Sequence, residues 1–289
     1  MFLPRADPDR WLGRILGGWA MAAGAVVLLI VAFLIRESVP ALSTIGIGRF
    51  LHDPSWHPAG EASAGTFNLV PMLVGTLYLS LGALLLAVPA GVASAVFCQF
   101  YAPGRVAAVY RRSMELLAGV PSVVYGFWGL VTLVPLIRRL EPPGQSLLAG
   151  ILILALMVLP TVALTAVAAL AAVPRSYLQG AAALGLGRWA TARRVALPAA
   201  LPGILSGALL AAARAVGETM AVLMVCGNLV QVPSSLFDPV RALTANIALE
   251  MGYATAQHRS ALFVSGLVLI VVIALLMALV ERWGERADA

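Results

Sequence analysis

Lysine is absent from this 289-residue sequence, and all 19 cationic side chains are arginines. The glycine-rich loop that cradles nucleotide phosphates needs a lysine after its glycines. The chain therefore holds no such loop, and if ATP drives it, another subunit must hydrolyse the nucleotide. Cysteine is scarce, with only Cys98 and Cys226. The topology argued below sets them about a bilayer thickness apart, whereas a disulfide needs Cα atoms within about 7 Å. Both are expected to be free packing residues. The three histidines, His52, His57 and His258, lack the spacing of a metal site and read as solvated loop residues. Neither a zinc-protease His-Glu pattern nor a nucleophile elbow is present, and no cofactor is implied. Charge is the largest deficit: 11% of residues, against about 25% in soluble domains.

What fills the chain instead is apolar, at 61% of residues. Crossing the hydrocarbon core takes about 20 apolar residues. Six stretches qualify, at residues 15–35, 71–99, 114–136, 147–173, 201–227 and 261–280. The reading is an all-α polytopic membrane protein, one transmembrane domain over 1–289. The hydrophilic loops at 37–70 and 228–260 are too short for a core of their own. Arg5, Arg10 and Arg14 precede the first apolar run, as in a secretory signal. That run is longer than a signal core and no small-residue cleavage site follows, so it is expected to stay as a span.

Arginines set the orientation, because cations in short loops favour the cytoplasmic side. With the N-terminus inside, twelve arginines fall in inner segments, six in outer ones, and Arg214 within the fifth span. Both termini are thus expected in the cytoplasm. The net charge of +6 needs no nucleic acid to explain it.

Trp56, Pro58 and Phe67 in the first outer loop suit interfacial anchoring. Pro89, Pro121, Pro135 and Pro160 interrupt spans, and small residues recur in "GTLYLSLGALLLAVPAGVASA". Two readings stand: close helix packing, or kinked helices that line a path. Tyr125 and Trp128 receive no ligand role.

Between spans four and five, about residues 174–200, lies "QGAAALGLGRWATARRVALP". A short helix, a break at Gly185 and a basic second helix are expected to form a knob projecting from the membrane. It suits either anionic lipid or a cytoplasmic partner whose groove takes a helix. The loop resembles the E-A-A-x3-G-x9-I-x-L-P signature of ABC importer permeases. Gln179, Gly180 and Ala181 stand at the E-A-A positions, with Gly185, Val195, Leu197 and Pro198 at the spacing of the remainder. Gln replaces the Glu, and Gly the first Ala.

Further stretches, "ELLAGVPSVVYGFWGL", "ARAVGETMAVLMVCGN" and W-x-P followed by "GTFNLVPMLVGTL", resemble phosphate permeases of the PstC type. The resemblance covers about residues 43–280. It implies a six-span type I importer permease fold with a cytoplasmic coupling-helix loop. It also implies a second permease of the PstA type, cytoplasmic ATPase subunits, an external phosphate-binding protein and phosphate as cargo.

Arg214 and Glu218 sit inside an apolar span, where an arginine costs about 2.5–3.5 kcal/mol on insertion scales. On a continuous helix they share one face. An ion pair locking spans together is one reading, but buried pairs are often neutral for stability. The other is an anion path: a guanidinium fork matches phosphate oxygens. A carboxylate beside it accepts a hydrogen bond from protonated phosphate and repels sulfate. Thr219 is expected to bond its own backbone and Asn228 to cap the helix end. A permease for another oxyanion such as molybdate or sulfate, an ion-coupled carrier or channel, and a membrane enzyme are the alternatives; a coupled carrier has no use for the docking loop.

Overall fold

A computed structural model describes residues 8–58 and 65–288. The expectations touching Arg5 and the loop stretch 59–64 lie outside them. Helix α1 (Pro8–Thr44) leads into α2 (Ile47–His52) and a small antiparallel hairpin, β1 (Trp56–His57) with β2 (Thr66–Phe67). Helices α3 (Val70–Phe100), α4 (Gly104–Ala118) and α5 (Ser122–Trp128) follow, then a π-helical turn at Gly129–Leu133 and α6 (Val134–Arg138). Next come α7 (Leu147–Ala171), α8 (Arg175–Ala183), α9 (Arg188–Thr191), a second π-helical turn at Ala192–Ala196, and α10 (Leu197–Gly217). The chain closes with α11 (Met220–Val225), α12 (Leu243–Glu250) and α13 (Ala256–Asp288).

Among the described residues, five helices are long and apolar enough to cross a membrane, and a bent pair supplies a sixth. The bent pair corrects the expectation of one third span over 114–136. The axis turns by 94° between Gly104–Ala118 and Ser122–Arg138. Pro121 is extended (φ −61°, ψ 141°) and begins a new helix. Its ring also disfavours helical backbone at the residue before it. The Tyr125 hydroxyl donates to the Leu117 carbonyl at 2.8 Å and bridges the corner.

The fifth span differs too. It runs unbroken from Arg188 to Gly217, so the basic second helix of the docking loop is its first turns. It then breaks at Glu218 and Thr219 before α11. Both π-helical turns have one cause. Pro135 and Pro198 lack an N–H and crowd the carbonyl four residues back. Those carbonyls, at Val131 and Arg194, lie inside the two π turns, where the wider spacing absorbs the proline.

Helix α7 is the buried axis, with α3 and α10 as its main neighbours. Small residues set their approach. A Cβ on Gly82 would lie 2.5 Å from Ile151 Cδ1, and one on Gly91 2.7 Å from Val162 Cγ1. Gly207 of α10 faces Thr165 with no room for a side chain. The recurring glycines are thus packing seams. Helix α1 packs along α13, with Phe33 edge-on to Phe263 at 5.5 Å, and exposes long apolar residues elsewhere.

One end of the bundle carries α8. The other carries a cap of α2, the hairpin, the 226–242 loop and α12. Trp56 and Phe67 are buried there, at 3% and 0% exposure. They pack with Phe50, Met72, Leu243 and Leu262 rather than standing as interfacial anchors. The cap thus shares its hydrophobic core with the ends of α1, α3 and α13.

Candidate functional site

Glu218 sits at the break in the fifth span, with extended backbone (φ −69°, ψ 128°). One carboxylate oxygen accepts from the Ala221 N–H at 3.2 Å and caps the start of α11, where helical donors have no partner. Its main-chain carbonyl, freed by the break, accepts from the Thr244 hydroxyl of α12 at 2.8 Å. Its second carboxylate oxygen has no hydrogen-bond partner among the described residues. The side chain borders a narrow crevice lined by Thr76, Ser80, Leu154 and Val222. Leu154 is seven residues into α7 from its cap end, about 10 Å at 1.5 Å per residue. The break therefore lies inside the bundle.

Arg214 occupies the last turn of α10, not the middle of a span, and is half-buried. It makes no ion pair or hydrogen bond among the described residues. Tyr125 lies within reach of its charge. The break corrects the shared helical face: with Glu218 in an extended conformation, the two charges are not stacked one turn apart. Arg214 lies on the flank of α10 next to exposed Leu210 and Gly217. Thr219 donates to the Gly217 carbonyl at 3.4 Å, as expected. Asn228, at φ 56°, donates to the Leu223 carbonyl at 2.7 Å and ends α11.

The docking-loop residues divide. Gln179 and Gly180 are exposed on α8, while Ala181 points inward and is buried. Gly185 turns the chain at φ +71°, with open space around it. Val195 and Leu197 are half-buried and Pro198 exposed in the first turns of the fifth span. Sequence reasoning passed over Tyr177 and Leu184, exposed at 56% and 82% beside Gln179 and Gly180.

It also missed the polar centre of the cap. Glu250 accepts from Trp56 Nε1 at 2.7 Å and from Arg241 Nη1 at 2.7 Å, and contacts His258 Nε2 at 2.9 Å. Arg241 further donates to Asn246 Oδ1 and the Asn228 carbonyl. His258 is 5% exposed, which overturns its reading as a solvated loop residue. The cluster borders an open cavity of about 700 Å³ at the cap end. Its members run from residue 56 to 258, so no local spacing announces it.

Cys98 and Cys226 are both free. In the exposed loop before α12, Asp238 accepts from the Ser234 and Ser235 N–H groups and the Ser234 hydroxyl. These bonds hold its carboxyl below the ordinary range.

The sequence profile of the "binding-protein-dependent transport system inner membrane component" family matches residues 87–287. The chain belongs to this family of multi-pass inner-membrane permease subunits of ABC importers. Within it, the chain is of the PstC type. It is 34% identical to the "phosphate transport system permease protein PstC" of Mesorhizobium japonicum, over 93% of this chain and 88% of that one. It is 36% identical to the "probable ABC transporter permease protein YqgH" of Bacillus subtilis, over 96% and 93%. Among solved structures it is similar to a bacterial alginate ABC transporter (13% identity, 98% of both chains, TM-score 0.67). It is also similar to the MetNI methionine ABC transporter (20% identity, 76% and 94%, TM-score 0.57). At these identities the likeness is one of fold.

Proposed function

We propose that the chain passes inorganic phosphate into the cell as one permease of an ATP-driven importer, and that Arg214 and Glu218 belong to the path. One observation carries the reading: a half-buried guanidinium with no partner among the described residues, on the flank of an apolar helix beside a break. Such a charge is costly in hydrocarbon, and its flank on α10 is open. A second permease of the PstA type completes the cavity around it. Phosphate bridges to the Arg214 fork, while the free oxygen of Glu218 accepts a proton-bearing phosphate hydroxyl. Sulfate at neutral pH offers no such donor and meets repulsion.

The exposed face of α8, with Gln179, Gly180, Tyr177 and Leu184, docks a cytoplasmic ATPase subunit; Gly185, Val195, Leu197 and Pro198 set the angle at which α8 leaves the span. Both termini lie in the cytoplasm. An external phosphate-binding protein delivers cargo to the cap end. The test is uptake of labelled phosphate by the reconstituted complex with and without ATP, with sulfate and molybdate as competitors. ATP-dependent uptake that resists both competitors is the expected result. Uptake without ATP, or equal inhibition by sulfate, would overturn the reading.

A further inference from the structure

The helix before the 94° corner has three distinct sides. Its inner side, with Ala107, Tyr110 and Met114, packs on α7. The remaining surface is exposed and splits lengthwise. Val106, Val109 and Leu116 form an apolar strip, the last two 65% and 76% exposed. Arg105 and Arg112 form a cationic strip beside it, and exposed Arg111 and Glu115 pair with each other at 3.0 Å. Arg105 and Arg112 have no ion-pair partner among the described residues.

Water alone does not suit a face that exposes Val109 and Leu116, and hydrocarbon alone does not suit one that carries two unpaired arginines. The boundary between headgroups and acyl chains suits both, with long cationic side chains reaching toward phosphate. Two geometric facts agree. The helix lies across the direction of the span that follows it, at 94°. It also faces Ala163, Leu164 and Val167 of α7 across a pocket of about 290 Å³. Leu164 is seven residues from the end of α7 at Ala171, about 10 Å, near the 5–10 Å depth at which interfacial helices rest.

We propose that α4 is an interfacial helix that binds anionic phospholipid through Arg105 and Arg112 in the leaflet on the docking-loop side. The proposal is independent of which substrate passes.

The test places a fluorophore at Val109→Cys, and separately at Leu116→Cys, in the full chain assembled with its partner subunits. Cys98 is replaced by Ser, and Cys226 is buried. Nanodiscs contain phosphatidylcholine and phosphatidylglycerol, with a nitroxide quencher on one lipid or the other. Quenching from the lipid phase, shielding from aqueous iodide, and a preference for the phosphatidylglycerol carrier of up to about thirtyfold are expected, since each of the two cations near an anionic surface contributes ~1 kcal/mol. Arg105→Gln with Arg112→Gln should bring that preference to about one. Quenching only by iodide would mean a solvated face. Protection from both quenchers would mean a face covered by another subunit. Equal quenching from the two lipids would leave no anionic selectivity. Each of these three results overturns the proposal.

Discussion

Glu218 has two acceptors engaged and one free, and that division separates its structural part from its chemical part. Glu218→Gln keeps an oxygen for the Ala221 N–H and removes the charge. The complex should assemble, and sulfate should compete with phosphate about tenfold better, in keeping with the weight of one hydrogen bond to a charged group. Competitive uptake assays measure this. Glu250 is different, since three side chains converge on it. Glu250→Ala leaves Arg241 without its carboxylate and should destabilise the cap by about 3 kcal/mol. Faster hydrogen exchange at residues 240–250 is the readout. Arg214 and Glu218 were visible in the sequence because charge inside an apolar run is conspicuous. Their relative placement was not, because the helix break between them leaves no proline or paired-glycine signal. The Glu250 cluster was hidden more deeply: Trp56, Arg241, Glu250 and His258 meet only through the tertiary fold.

At the scale of elements, the apolar runs gave the long helices, and their length made those legible. The corners were harder. Pro121 was expected to kink a span, yet it ends one helix and starts another at 94°. The cost of redirecting the axis depends on what packs against each half, which no local pattern reports. Gly185 breaks the docking loop, and its φ of +71° explains the choice of residue. Gly185→Ala should cost about 1 kcal/mol at the α8 turn and loosen ATPase docking, measured by co-purification. Gly207 is a seam residue whose partner is Thr165. Gly207→Leu overpacks α10 against α7 and should lower stability by about 1–3 kcal/mol in detergent unfolding. The loop before α12 holds the cap end of α7, since Leu147 and Leu148 donate to the Asp238 and Leu236 carbonyls at 2.9 and 2.7 Å. The Asp238 carboxyl is depressed by its donors. Its contribution is thus present above the ordinary aspartate pKa of about 3.9 and is lost as pH falls through its lower folded value. The protection of the amides at residues 234–238, corrected for the intrinsic pH dependence of exchange, should fall on acidification into that range and stay constant between pH 5 and 8.

The whole molecule is two-ended. A cap that packs on the ends of α1, α3 and α13 and holds a polar cluster faces one way, and α8 faces the other. Helix α12 joins the cap to the transport break, because it carries Glu250 and also donates from Thr244 to Glu218. On the proposed function, the exposed flank of α10 is where a second permease would complete the pathway. The most direct measurement is ATP-dependent phosphate uptake by the reconstituted complex carrying Arg214→Gln, with ATPase association checked in the same preparation. The account predicts intact assembly and uptake reduced by about two orders of magnitude, the loss expected when one partner of a buried charged contact is removed. Uptake at the unmodified rate would contradict it.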